Sequence, residues 1–62
     1  MKVKEAIKDL NEHWLISKEN IGMICVEGKW INGINIDEIL ESEVRRVEIA
    51  KGIIADFTCI RI

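Results

Sequence analysis

Between Ser42 and Ile62 the chain carries Val44, Val47, Ile49, Ile53, Ile54, Thr58, Ile60 and Ile62. Side chains branched at Cβ are stiff at χ1 and pack well on a pleated surface, so this density commits the C-terminal third to strand. The pattern predicts two strands, Glu43–Ala50 and Ile53–Ile62, joined at Lys51-Gly52. In the first, Val47 and Ile49 alternate with Arg46 and Glu48 and form the expected inward face. In the second, Ile53, Ala55, Phe57 and Cys59 share one side, and Ile54, Asp56, Thr58, Ile60 and Ile62 share the other. Apolar residues on both sides mark a central strand or an outer face covered by another chain. A single helix covers only one face, so Ile54, Thr58, Ile60 and Ile62 are the expected contact surface.

The preceding segments supply that helix and more strand. Val3, Ile7, Leu10 and Trp14 fall at spacings of four, three and four, one stripe of a helix predicted over Val3–Glu12. Glu5–Lys8 and Lys8–Glu12 lie at pairing distance on its opposite face. A hairpin is predicted from Trp14–Ser17 and Gly22–Glu27, with a turn at Lys18-Glu19-Asn20 and Gly22 free to take a positive φ. In its second arm either Ile24 and Val26 or Met23 and Cys25 face inward. Gly28-Lys29 ends that strand, and Trp30–Ile34 is expected as a loop folded back on the core. Asn32-Gly33 is a strong hairpin signal, but its arms are too short for a ladder. Asn35 with Glu38 three residues on has the form of a helix start, predicting a short helix over Ile36–Leu40 that packing must hold.

Sixty-two residues make one domain, residues 1–62, and a chain of this size gains from a partner or another staple. Eleven acidic against nine basic side chains give a net charge of −2, no basis for bulk capture of nucleic acid. Cys25 and Cys59 lie far apart with no CxxC pair, which removes zinc-knuckle and thioredoxin-like motifs. No apolar run approaches the length of a membrane span, and charged residues break up the N-terminus. A reduced cytoplasmic setting is expected, with both cysteines as small buried hydrophobes.

Chemistry has little to build on. His13 is the lone histidine, and partnership with Cys25 or Cys59 as a thiolate pair is outweighed by the missing hydrolase motifs. Asp37, Glu38, Glu41, Glu43 and Glu48 fit no calcium loop. No enzyme activity, cofactor or metal is expected. Trp14 belongs to the apolar stripe, whereas Trp30 stands as either a core lid or an exposed anchor. Arg45 and Arg46, with Lys51 and Arg61, offer a small basic region, but successive strand residues point to opposite faces, so Arg45 and Arg46 share a patch only if their strand is an edge.

A helix, a hairpin ending at Gly28, the turn Ile36-Asp37-Glu38-Ile39-Leu40, and Leu40-Glu41-Ser42-Glu43-Val44 ahead of two closing strands follow in order. Val47, Ile49, Ile60 and Ile62 mark those strands. This order resembles small proteins of unknown function from phages and mobile elements of Firmicutes. The resemblance spans most of the chain but transfers no functional residue, and Lys29–Asn35 departs from it. It implies an accessory protein that binds and blocks a host or defence protein.

The expected fold is α+β: an N-terminal helix on a largely antiparallel sheet of about four strands, with a short second helix between two hairpins. The expected function is a non-catalytic protein-binding module, possible as an inhibitor and as a homo-oligomer, contacting partners through Trp30, Ile54, Thr58, Ile60, Ile62, Arg45 and Arg46. The alternative is nucleic-acid binding through Arg45, Arg46, Lys51 and Arg61.

Overall fold

The computed structural model describes residues 1–10 and 13–62. Five strands form one sheet: β1 (Trp14–Lys18), β2 (Gly22–Val26), β3 (Lys29–Trp30), β4 (Arg46–Ala50) and β5 (Phe57–Arg61). Their spatial order is β3-β2-β1-β5-β4. The central pair, β1 and β5, is parallel, and the other pairs are antiparallel. Helices α1 (Val3–Ala6) and α2 (Ile36–Glu41) supply the second layer. The chain is thus the expected small α+β domain, with five strands instead of four and a mixed sheet.

The N-terminal helix is shorter than its stripe predicted. Four α-helical residues run into a 3-10 turn at Ile7–Asp9, and Leu10 is already extended. The Glu12 end of the predicted helix lies outside the described residues. Tertiary pairing fixes the start: Val3 N–H donates to Ser42 O at 2.9 Å and Val44 N–H to Met1 O at 2.8 Å. The stripe still does its work, since Val3 is fully buried and Ala6, Ile7 and Leu10 pack against the same core.

The first hairpin forms as predicted, with Asn20 and Gly22 at positive φ in its turn. Its register answers which side of β2 is inward. Ile16 pairs with Cys25 and Ser17 with Met23, leaving Ile24 as an extra residue. A bulge of this kind turns two successive side chains toward one face, and both Ile24 and Cys25 are buried.

The loop expected after Gly28 is instead a third strand. Glu27 (φ 51°) and Gly28 (φ 88°) form a two-residue turn with both φ angles positive, the geometry that suits the twist of a hairpin. Trp30 therefore lands opposite Cys25, half-buried against the core. Asn32-Gly33 forms a separate turn without a ladder. Asn35 caps α2 as expected, its Oδ1 accepting from Glu38 N–H at 3.2 Å.

In the C-terminal hairpin the turn at Lys51-Gly52 is replaced by a loop over residues 51–56, because Ala50 pairs with Phe57. Lys51 Nζ and Asp56 Oδ2, 3.2 Å apart, close its base. Register sorts the two faces. Ile16, Ile60 and Val47 stand side by side, as do Leu15, Cys59 and Glu48. Val3, Ile16, Ile24, Cys25, Ile39, Ile60 and Ile62 form one buried cluster on the first face, beneath the helices. The second face carries Leu15, Ser17, Cys59, Arg61, Glu48 and Arg46, and is referred to below as the open face.

Candidate interaction surface

The edge strand β4 is the longest unpaired edge among the described residues, since the opposite edge, β3, has only two residues. Hydrogen-bond direction along it follows from β5. Thr58 N–H donates to His13 O and Ile62 N–H to Ser17 O, so even-numbered β5 residues turn toward β1. Odd-numbered ones turn toward β4, as Arg61 O does in accepting from Arg45 N–H at 2.8 Å. In the antiparallel register Arg46, Glu48 and Ala50 thus spend their main-chain groups on β5. Val47 and Ile49 direct theirs outward, with no strand beyond them.

Val47 and Ile49 do lie on the helix-covered side as expected, but they are not core. They are 52% and 58% exposed, because the edge strand extends past the cover of the helices. Ile53 and Ile54, in the following loop, are fully exposed. A Cβ on Gly52 would strike the Ala55 carbonyl, so the bare backbone there lets the loop fold tightly. Beneath the loop an apolar hollow is lined by His13, Glu27, Ile53, Ile54, Ala55 and Phe57. His13 packs against Phe57 with the rings tilted by 48° and their centroids 5.4 Å apart, and its Nδ1 lies 3.6 Å from Glu27 Oε2.

At the other end of the hairpin Arg45, Arg46 and Arg61 line a second hollow of about 520 Å³, with Lys18, Glu19 and Asn20 on its far wall. Alternation keeps Arg45 and Arg46 from sharing a patch unless their strand is an edge; β4 is an edge strand, and the alternation breaks at its start. Arg61 is the register partner of Arg46 and also accepts from Arg45 N–H, so two residues oppose one. Arg45 pairs with Glu19, Arg46 Nε lies 2.6 Å from Glu48 Oε1, and Arg61 Nε lies 3.2 Å from Glu48 Oε2. Lys51 is not part of this group, being at the opposite end of β4 on Asp56.

The remaining expected contacts divide clearly. Ile60 and Ile62 belong to the core beneath the helices, not to a free face. Their side of β5 is the covered one, because β5 is central and the sheet's helical layer sits on that side. Thr58 is half-buried there, and Trp30 is a lid on the core instead of an exposed anchor. Ile54 is exposed, from a loop and not from a strand. Sequence reasoning missed the free groups of Val47 and Ile49, since an edge position depends on which strands pair; Lys and Arg near β4 were the only local hint.

Burial pushes the Cys25 thiol above its ordinary value, opposed by a hydrogen bond with the Gly28 backbone, so it is no ready thiolate. Among the described residues no three His, Cys, Asp or Glu side chains are grouped to hold a metal ion. Among the described residues no helix is long and apolar enough to cross a membrane. The chain matches no family model, no curated protein and no solved structure.

Proposed function

We propose that this chain is a non-catalytic protein-binding module that works in the cytoplasm. Following the resemblance noted above, its role is that of a phage or mobile-element accessory protein that occludes a surface on a host or defence protein. One observation carries the reading: the fully exposed Ile53-Ile54 pair adjoins an edge strand whose Val47 and Ile49 are also exposed. Apolar side chains grouped at a free edge are a cost to an isolated molecule and an asset to one that docks.

Nucleic-acid binding is the weaker alternative. Arg45, Arg46 and Arg61 converge, but each is paired with Glu19 or Glu48, and Lys51 is remote.

The test is capture from host lysate on the immobilised chain, with the Ile53→Asp/Ile54→Asp variant as control and the mass of the pure protein measured alongside. A protein retained by the wild type and released by the variant supports the reading. Equal retention by both, or retention of DNA or RNA that salt removes, overturns it.

A further inference from the structure

Asparagines stand at positions 11, 20, 32 and 35, and only Asn32 precedes a glycine. We infer that Asn32 is a site of self-modification, at which the Gly33 main-chain nitrogen cyclises onto the Asn32 side chain and expels ammonia. Asparagine is thermolabile, and by this route its successor residue and the local fold decide how readily it reacts.

The fold leaves the reacting pair open. Asn32 and Gly33 form an exposed turn between β3 and α2 that closes no ladder. Among the described residues, no group hydrogen-bonds to the Asn32 side chain or to the Gly33 N–H. Gly33 has φ 85°, which glycine adopts without strain, and a Cβ built there would meet nothing within 4 Å. The attacking nitrogen thus belongs to a residue with no side chain and no neighbour to crowd the ring.

Asn20 and Asn35 are exposed as well, but each is guarded. The Ile21 N–H, whose nitrogen would attack at Asn20, is spent on Lys18 O at 3.1 Å. Asn35 Oδ1 accepts from Glu38 N–H at 3.2 Å in the cap of α2. Both precede an isoleucine, whose branched Cβ crowds the nitrogen. Asn11 lies outside the described residues.

The chemistry needs only water. The Gly33 nitrogen loses its proton and bonds to Asn32 Cγ, and the Cγ–Nδ2 bond breaks as ammonia leaves with that proton. Water then opens the resulting succinimide. Cleavage between Cγ and the Gly33 nitrogen gives aspartate, and cleavage at the main-chain carbonyl gives an isoaspartyl link. Either product adds a negative charge to a chain at −2. The isoaspartyl link also lengthens the main chain between Trp30, packed on the core, and Asn35, the cap of α2.

The experiment incubates the full chain at mildly alkaline pH, folded and in urea, and follows each asparagine by peptide mapping with mass detection. Asn32 is expected to convert to aspartate and isoaspartate at close to its rate in urea, while Asn20 and Asn35 stay intact in the folded chain. Asn32→Gln, which would have to close a larger ring, is expected to stay intact and to keep the fold. Conversion at Asn32 more than about tenfold slower in the folded chain than in urea means that the turn must first open at a cost of about 1.4 kcal/mol, and overturns the inference. So does folded-state conversion of Asn20 or Asn35 as fast as that of Asn32. Aspartate at position 32 with no isoaspartate, or equal conversion of the Asn32→Gln side chain, overturns the cyclisation and the inference with it.

Discussion

Val47 and Ile60 are direct partners across the β4–β5 ladder, yet Ile60 is fully buried and Val47 is half exposed. One pair thus spans the boundary between core and rim. Ile60 removed of a single methylene leaves a void among Val3, Ile16 and Ile39, and Ile60→Val is expected to lower stability by about 1 kcal/mol. Val47→Ala is expected to cost less than about 0.5 kcal/mol, as an exposed site does. Urea denaturation of the two variants measures the contrast, and equal losses would refute the assigned boundary.

The Glu27-Gly28 turn predicts opposite effects from neighbouring substitutions. Gly28→Ala places a Cβ at a left-handed position and is expected to destabilise by about 1 kcal/mol. Glu27→Asn relieves the strain at φ 51° and is expected to stabilise by a few tenths of a kcal/mol or more. Thermal melts of both variants test the sign of each change.

The two cysteines are free and buried, on opposite faces of the sheet and with β1 between their strands. Reductant is therefore expected to leave the melting temperature unchanged, and a thiol reagent to modify both residues only as fast as the fold opens. A melting temperature that falls on reduction would contradict this placement.

Acid weakens the cap at the start of α1 and the contact between the two helices. The Glu5 carboxyl is held below the ordinary 4.5 chiefly by its hydrogen bond from Lys2 N–H, and that of Glu41 by Lys4 and then Lys2. A carboxylate whose folded value is lowered adds stability above its unfolded value and loses it as pH falls through the folded one. The wild type and the Glu5→Gln/Glu41→Gln variant are thus expected to differ at neutral pH and to draw together progressively as pH falls from about 4.5 through the lowered folded values. Parallel stability curves would rule out this source of acid sensitivity.

Local signals carried much of the fold. Asn35 ahead of Ile36 marked α2, Gly22 marked the first hairpin, and the alternation around Ile49 and Ile60 marked the last. What escaped was set by tertiary contacts. β3 hangs on Glu27 taking a positive φ that its side chain does not advertise, while the more familiar Asn32-Gly33 turn builds no ladder. The parallel union of β1 with β5 has no turn to announce it, and it moved Ile60 and Ile62 from the expected contact surface into the core. The bulges at Ile24 and at Arg45-Arg46 each break a two-residue period, so neighbours that simple alternation separates come together: Ile24 and Cys25 are both buried, and Arg45 and Arg46 line one hollow.

The seam between β1 and β5 also governs when the molecule can exist. β5, an interior strand of the sheet, is the last of the five strands in the chain. Until Phe57–Arg61 emerges, the nascent chain has only the β1–β2–β3 meander and two helices with half a surface to rest on. The closing step zips a late segment into a groove between two edges, a non-local search of the kind that slows folding.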